Sequence, residues 1–130
     1  MKIDEQFELI HFHDASIDSV SRDDGDLVLN ISGAFLSSNH PQSNGKDWSI
    51  EKAELRFEYV SEEVAKFWDD TKAPKPHPEP EFPLDEIMEV KYENGYYMFS
   101  GFKNTVPWSE WYIKSAYFIF NISAANEYSS

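Results

Sequence analysis

Between Ile50 and Val60 the chain alternates: Ala53, Leu55, Phe57 and Tyr59 point one way, Glu54, Arg56 and Glu58 the other. A period of two marks a strand with one dry face and one wet face. Apolar residues recur in the same way over Ile17–Ser21 and Leu27–Phe35, on either side of Arg22-Asp23-Asp24-Gly25-Asp26. Asp-Gly supplies the positive φ that a tight turn demands, so these two segments form a hairpin. Ile87–Tyr92 and Tyr96–Phe102 bracket Glu93-Asn94-Gly95 and predict a second hairpin by the same chemistry. Phe7–Phe12 and Trp111–Ile122 carry apolar side chains on both faces, as strands wet on neither side do.

The segments between them read differently. Asp14-Ala15-Ser16 is a turn, and Ser37 to Gly45 is a run of turn formers that reads as a surface loop. Ser61–Trp68 predicts a short helix: Ser61 can cap the free amides, Glu62 and Glu63 suit the positive end of the dipole, and Val64 and Trp68 lie one turn apart. Lys75-Pro76-His77-Pro78-Glu79-Pro80-Glu81-Phe82-Pro83 places proline at nearly every second position, which forbids helix and ladder pairing and favours a stiff extended path. Ala124 to Ser130 reads as a fraying tail. Together the elements predict an α+β fold that is mainly antiparallel β. The expected form is a single sheet, or a flattened barrel or sandwich, of about six to seven strands with one short helix. Neither side of the proline-rich stretch has enough strands to close a core alone, so residues 1–130 form one domain.

Composition adds a core made of rings. With 10 Phe, 7 Tyr and 4 Trp, the apolar content is held in large side chains, which argues against disorder. The 24 acidic residues outnumber the 11 basic ones, giving a formal charge of -13, and only Arg22 and Arg56 are arginines. Nucleic acids and anionic membranes both require Lys and Arg to displace counterions, so neither is expected as a partner. A basic protein, or solubility alone, accounts for the charge. The absence of cysteine excludes disulfides, thiolate metal sites and a Cys nucleophile. The charged start Met1-Lys2-Ile3-Asp4-Glu5-Gln6 does not read as a signal segment, and no apolar run approaches the roughly eighteen residues of a helical span, so a cytoplasmic protein is expected.

Candidate chemistry is sparse. His11-Phe12-His13-Asp14 is the one place where metal-ligating types crowd, and two imidazoles two residues apart on a strand share a face. The spacing resembles the His-x-His start of cupins, but the glycine before the pair and the glutamate after it are missing, and Asp18 substitutes poorly. A small-ligand or metal-binding β-barrel using His11 and His13 is therefore an alternative reading, set against a structural one in which Asp14 caps the strand-to-turn junction. No Gly-x-Ser-x-Gly elbow and no Gly-rich phosphate loop occurs, so no catalytic residue, cofactor or metal is assigned and the chain reads as a non-enzymatic protein. Trp108-Ser109-Glu110-Trp111-Tyr112 offers Trp108 and Trp111 as interface anchors, against a stronger expectation that large rings of small β-domains go inside.

Phe12-His13-Asp14-Ala15-Ser16-Ile17 entering an early hairpin, with Gly101-Phe102, Trp108 and Trp111-Tyr112-Ile113 near the end, resembles small bacterial proteins placed among the immunity proteins of polymorphic toxin systems. The resemblance covers the strand framework, not Ser37 to Pro83, and brings no catalytic residues with it. It implies a protein that neutralises a cognate toxin by contact, and the acidic surface would steer it to a basic one. The carboxylates expected to do so are Asp69, Asp70, Glu79, Glu81, Asp85 and Glu86, because they surround a stiff segment that presents them at low entropic cost. A structural subunit that oligomerises through a sheet edge is the third reading.

Overall fold

The computed structural model describes residues 1–69, 73–103 and 106–128. Among them run β1 (Lys2–Ile3), a one-turn 3-10 helix (Phe7–Leu9), β2 (Ile10–His11), β3 (Ser16–Asp23), β4 (Asp26–Ser32) and β5 (Ala34–Leu36). After a loop come β6 (Trp48–Trp68), β7 (Lys75–Pro76), β8 (Glu86–Glu93), β9 (Tyr96–Lys103) and β10 (Val106–Glu127). The strands follow the order β1-β10-β9-β8-β3-β4-β6-β5-β2, β7 pairs with β6, and β10 also pairs with β6. That last pairing closes β10-β9-β8-β3-β4-β6 into a ring of six antiparallel strands. Mainly antiparallel β structure is therefore present, as a closed barrel with ten strands in all among the described residues. No helix among those residues is long and apolar enough to cross a membrane.

Turn chemistry sets the two hairpins. Asp24 and Gly25 take φ values of 50° and 86°, and Asn94 and Gly95 take 54° and 83°, the paired positive φ of a two-residue turn. Gly33, at φ 80°, breaks the segment Leu27–Phe35 into β4 and β5, so the single strand expected there is two. Phe7–Phe12 is not one strand either: Phe7 turns inward on the 3-10 helix, and its ring lies 5.5 Å from Phe12, 4.8 Å from Tyr97 and 5.1 Å from Phe118. It plugs a core that also holds Phe57, Phe99, Trp111 and Phe120, all completely buried.

The short helix expected at Ser61–Trp68 is absent, because β6 continues through it. From Glu62 to Trp68 each residue pairs with β10, ending on Trp108↔Trp68. An isolated eight-residue helix is marginal beside a continuous ladder. Ser61 sits at a register shift between Lys114 and Ser115, with Tyr59 at φ 54° just before it. Straight strands as long as β6 and β10 would run about 70 Å, so closing a small ring requires such bulges. The proline-rich stretch also pairs: Lys75 and Pro76 lie against Phe67 and Lys66, at an edge where proline's missing N–H costs nothing. The tail does not fray through Glu127, since β10 holds it against Trp48 and the Tyr128 amide donates to the Asp47 carbonyl at 2.8 Å.

Candidate functional site

The weakest joint of the ring lies where β3 and β8 share one paired position, Ser16↔Glu86. Three backbone bonds reinforce it: Asp14 N–H to Ile87 O at 2.9 Å, Ile87 N–H to Ala15 O at 2.9 Å and Ile17 N–H to Asp85 O at 2.8 Å. Two of these amides belong to the turn at Asp14-Ala15-Ser16 and the residue after it. Asp14 itself stands at φ 67°, a conformation that Asp tolerates better than most residues.

Along this seam lies an open groove of about 410 Å³, lined by Asp14, Ser16, Ile17, Asp18, Asp85 and Glu86. Among the described residues, no Lys or Arg comes within ion-pair distance of the four carboxylates. Asp18 accepts a hydrogen bond from the Ser32 hydroxyl at 3.2 Å, and Asp14 has only the His13 ring at 3.5 Å. Four like charges around one concavity make a field that attracts ammonium and guanidinium groups.

The six carboxylates expected to form one surface are thus divided. Asp85 and Glu86 join Asp14 at the seam. Asp69 is held by the Lys75 ammonium at 2.6 Å, and Asp70 lies outside the described residues. Glu79 and Glu81 belong to a strap that is clasped to β6 instead of standing free. Arg22 forks onto the Glu63 carboxylate at 3.1 and 2.7 Å and also donates to the Glu81 carbonyl at 3.0 Å. His77 anchors the strap from within: its amide donates to the Ala65 carbonyl at 3.0 Å, its Nδ1 accepts from the Glu79 amide at 2.9 Å, and its Nε2 lies 3.1 Å from the Ser109 hydroxyl. Burial strips solvent from this imidazole and holds its pKa below the ordinary value. The sequence names Asp18 only as a poor stand-in for a metal-ligating glutamate; its place in this groove was hidden because a register shift between Ile17 and Ser19 displaces it from simple alternation.

His11 and His13 are both exposed, and they flank the buried Phe12. The His11 ring rests 5.8 Å from Phe35, while His13 Nδ1 donates to the Met88 carbonyl at 2.7 Å. Among the described residues, no group of three or more His, Asp or Glu side chains converges on a point that could hold a metal. The two tryptophans also part company. Trp111 is fully buried, its indole donating to Glu63 at 3.2 Å, whereas Trp108 is half-buried with its ring 5.2 Å from Phe102. Compared with protein-family models, with curated proteins and with solved structures, the chain matches none.

Proposed function

We propose that this chain is a non-enzymatic binding protein that captures a basic protein partner, and that an immunity protein neutralising a basic toxin by contact is the specific form of that role. The observation that carries it is the set of four uncompensated carboxylates, Asp14, Asp18, Asp85 and Glu86, around one open groove. A formal charge of -13 surrounds that groove with a field of the same sign. Such a field accelerates encounter with a cationic surface and is screened by salt, because the Debye length shrinks to about 8 Å at physiological ionic strength.

The test is capture of partners from the native organism with salt raised stepwise during elution. One basic protein released at moderate salt is the expected result. Its association rate should then fall about tenfold for Asp14→Asn, Asp18→Asn, Asp85→Asn and Glu86→Gln combined, with a flatter salt dependence. Association kinetics that ignore these four changes would remove the seam from the reading.

A further inference from the structure

Alternation along a barrel strand places polar residues outside, and one half of the β6-β10 ribbon obeys this. The groove there is bordered by Asn30, Lys52, Glu54, Asn121 and Ser123. The other half does not. Val64 pairs with Tyr112 and Tyr112 with Met98, so one cross-strand row on the outer face of β6, β10 and β9 is apolar. The row lines a shallow groove of about 520 Å³ together with Tyr96. Trp68 and Trp108 face each other four residues further along the same strands.

The polar rim of this face is also unusual. Glu62 accepts the Tyr96 hydroxyl and Glu110 accepts the Trp68 indole N–H, so both carboxylates are oriented by neutral donors. Glu93 borders the same groove. Among the described residues, none of the three has a Lys or Arg within ion-pair distance. Lys66, which also lines this groove, and the neighbouring Lys114 are turned to rings instead: the Lys66 ammonium lies 5.5 Å from the Tyr112 centroid and that of Lys114 5.6 Å from Tyr96. Oriented, unneutralised carboxylates around an apolar and aromatic centre match the anatomy of a protein-binding hot spot.

We infer that the outer face centred on Val64, Tyr112 and Met98 is the close-contact surface for the partner, and that it takes a segment with an apolar side chain flanked by Arg or Lys. The apolar side chain lies on the Val64-Tyr112-Met98 row, and the flanking cations meet Glu62, Glu93 and Glu110. This rests on the reading of the chain as a binder of basic proteins. It assigns the seam to steering and this face to adhesion.

The test uses the full chain, isotope-labelled for amide NMR, and three synthetic extended peptides: alternating Lys and Leu, alternating Glu and Leu, and alternating Lys and Ser. Only the Lys/Leu peptide should shift the amides of Val64, Met98 and Tyr112. Tyr112→Ser should weaken it about tenfold. Glu93→Gln with Glu110→Gln, which leave the apolar row and the Trp68 acceptor in place, should weaken it about threefold and flatten its salt dependence. Shifts confined to the seam at Asp14, Asp18, Asp85 and Glu86 would overturn the face while leaving the binder of basic proteins standing. Equal binding of the Glu/Leu peptide, or no shift with any peptide at millimolar concentration, would overturn it as well. Dilution-dependent self-association abolished by Tyr112→Ser would overturn it in favour of a second copy of this chain.

Discussion

Gly101 shows how one missing side chain holds the seam together. A Cβ there would press on the Glu86 carbonyl oxygen, with the Glu86 carbonyl carbon at 3.0 Å and the Ile87 Cα at 3.3 Å. All of these are backbone atoms at the start of β8, where the ladder shifts register between Ile87 and Glu89. They cannot rotate away as a side chain would. Gly101→Ala should therefore destabilise the protein by about 2–3 kcal/mol, read as a lower urea midpoint, and should speed amide exchange at Ile17 and Ile87 before the rest of the barrel. An unchanged midpoint would mean that β8 can move away from β9 without loss. The sequence sets Gly101 inside a predicted strand instead of a turn, a sign of close backbone approach, but does not say which atoms approach it. Its need is steric and comes from a strand fourteen or more residues away, whereas Gly25 and Gly95 are needed for their own φ.

At the scale of the element, the strap from Lys75 to Phe82 is where local reading and tertiary structure disagree most. Lys75 and Pro76 are extended, as the sequence implies, but the strap turns over Glu79–Phe82, where the Phe82 amide donates to the Glu79 carbonyl at 3.1 Å, and His77 and Arg22 decide where it lies. His77 Nδ1 accepts a backbone N–H, so it carries no proton, and protonation would set two N–H groups face to face. Ser109 and Phe67 pack on the ring, and Glu79, Glu81 and Lys103 are the charges that act on it. The folded-state pKa is depressed below 6.5, so the unfolded chain binds more protons than the folded one in the window beneath that value. His77 therefore contributes fully above the unfolded pKa, and its contribution is lost as the pH falls through the folded pKa. Urea midpoints of the protein should drop more steeply from about pH 7 to about pH 5 than those of His77→Gln. Parallel slopes would show that the strap does not depend on the neutral ring. The helix expected at Ser61–Trp68 failed for a related reason: its capping and dipole signals are local, while β10 offers Trp108 through Lys114 as a ladder partner.

For the whole molecule, charge opposes the fold that topology closes. The weakest joint of the ring also carries the groove lined by Asp14, Asp18, Asp85 and Glu86, whose like charges oppose its closure. Raising salt from about 0.01 M to about 0.15 M should stabilise the protein by about 1 kcal/mol or less, because repulsion among exposed carboxylates is screened. Combined Asp14→Asn, Asp18→Asn, Asp85→Asn and Glu86→Gln should raise the thermal midpoint at low salt and shrink this response. Asn tolerates the left-handed backbone of Asp14, so that substitution adds no strain. A thermal midpoint that falls at low salt would show the carboxylates to be structural. Closure also bears on the sheet-edge reading: within the ring the long strands β6 and β10 are paired with each other, and the open path ends on the two-residue strands β1 and β2.

The local chemistry of the chain was enough to determine its mainly antiparallel β character, though not the lack of a helix at Ser61–Trp68, together with both tight hairpins and the aromatic make-up of the core. Each follows from neighbours in sequence: alternation at Ala53, Leu55 and Phe57, positive φ at Gly25 and Gly95, ring-rich composition. Only the tertiary structure decided that β6 runs on to Trp68, that Asp14 and Asp18 meet Asp85 and Glu86, and that Val64, Tyr112 and Met98 form one row. Those juxtapositions join residues dozens of positions apart. Their free energy lies in ladder pairing and shared burial between distant segments, which no short window of sequence contains.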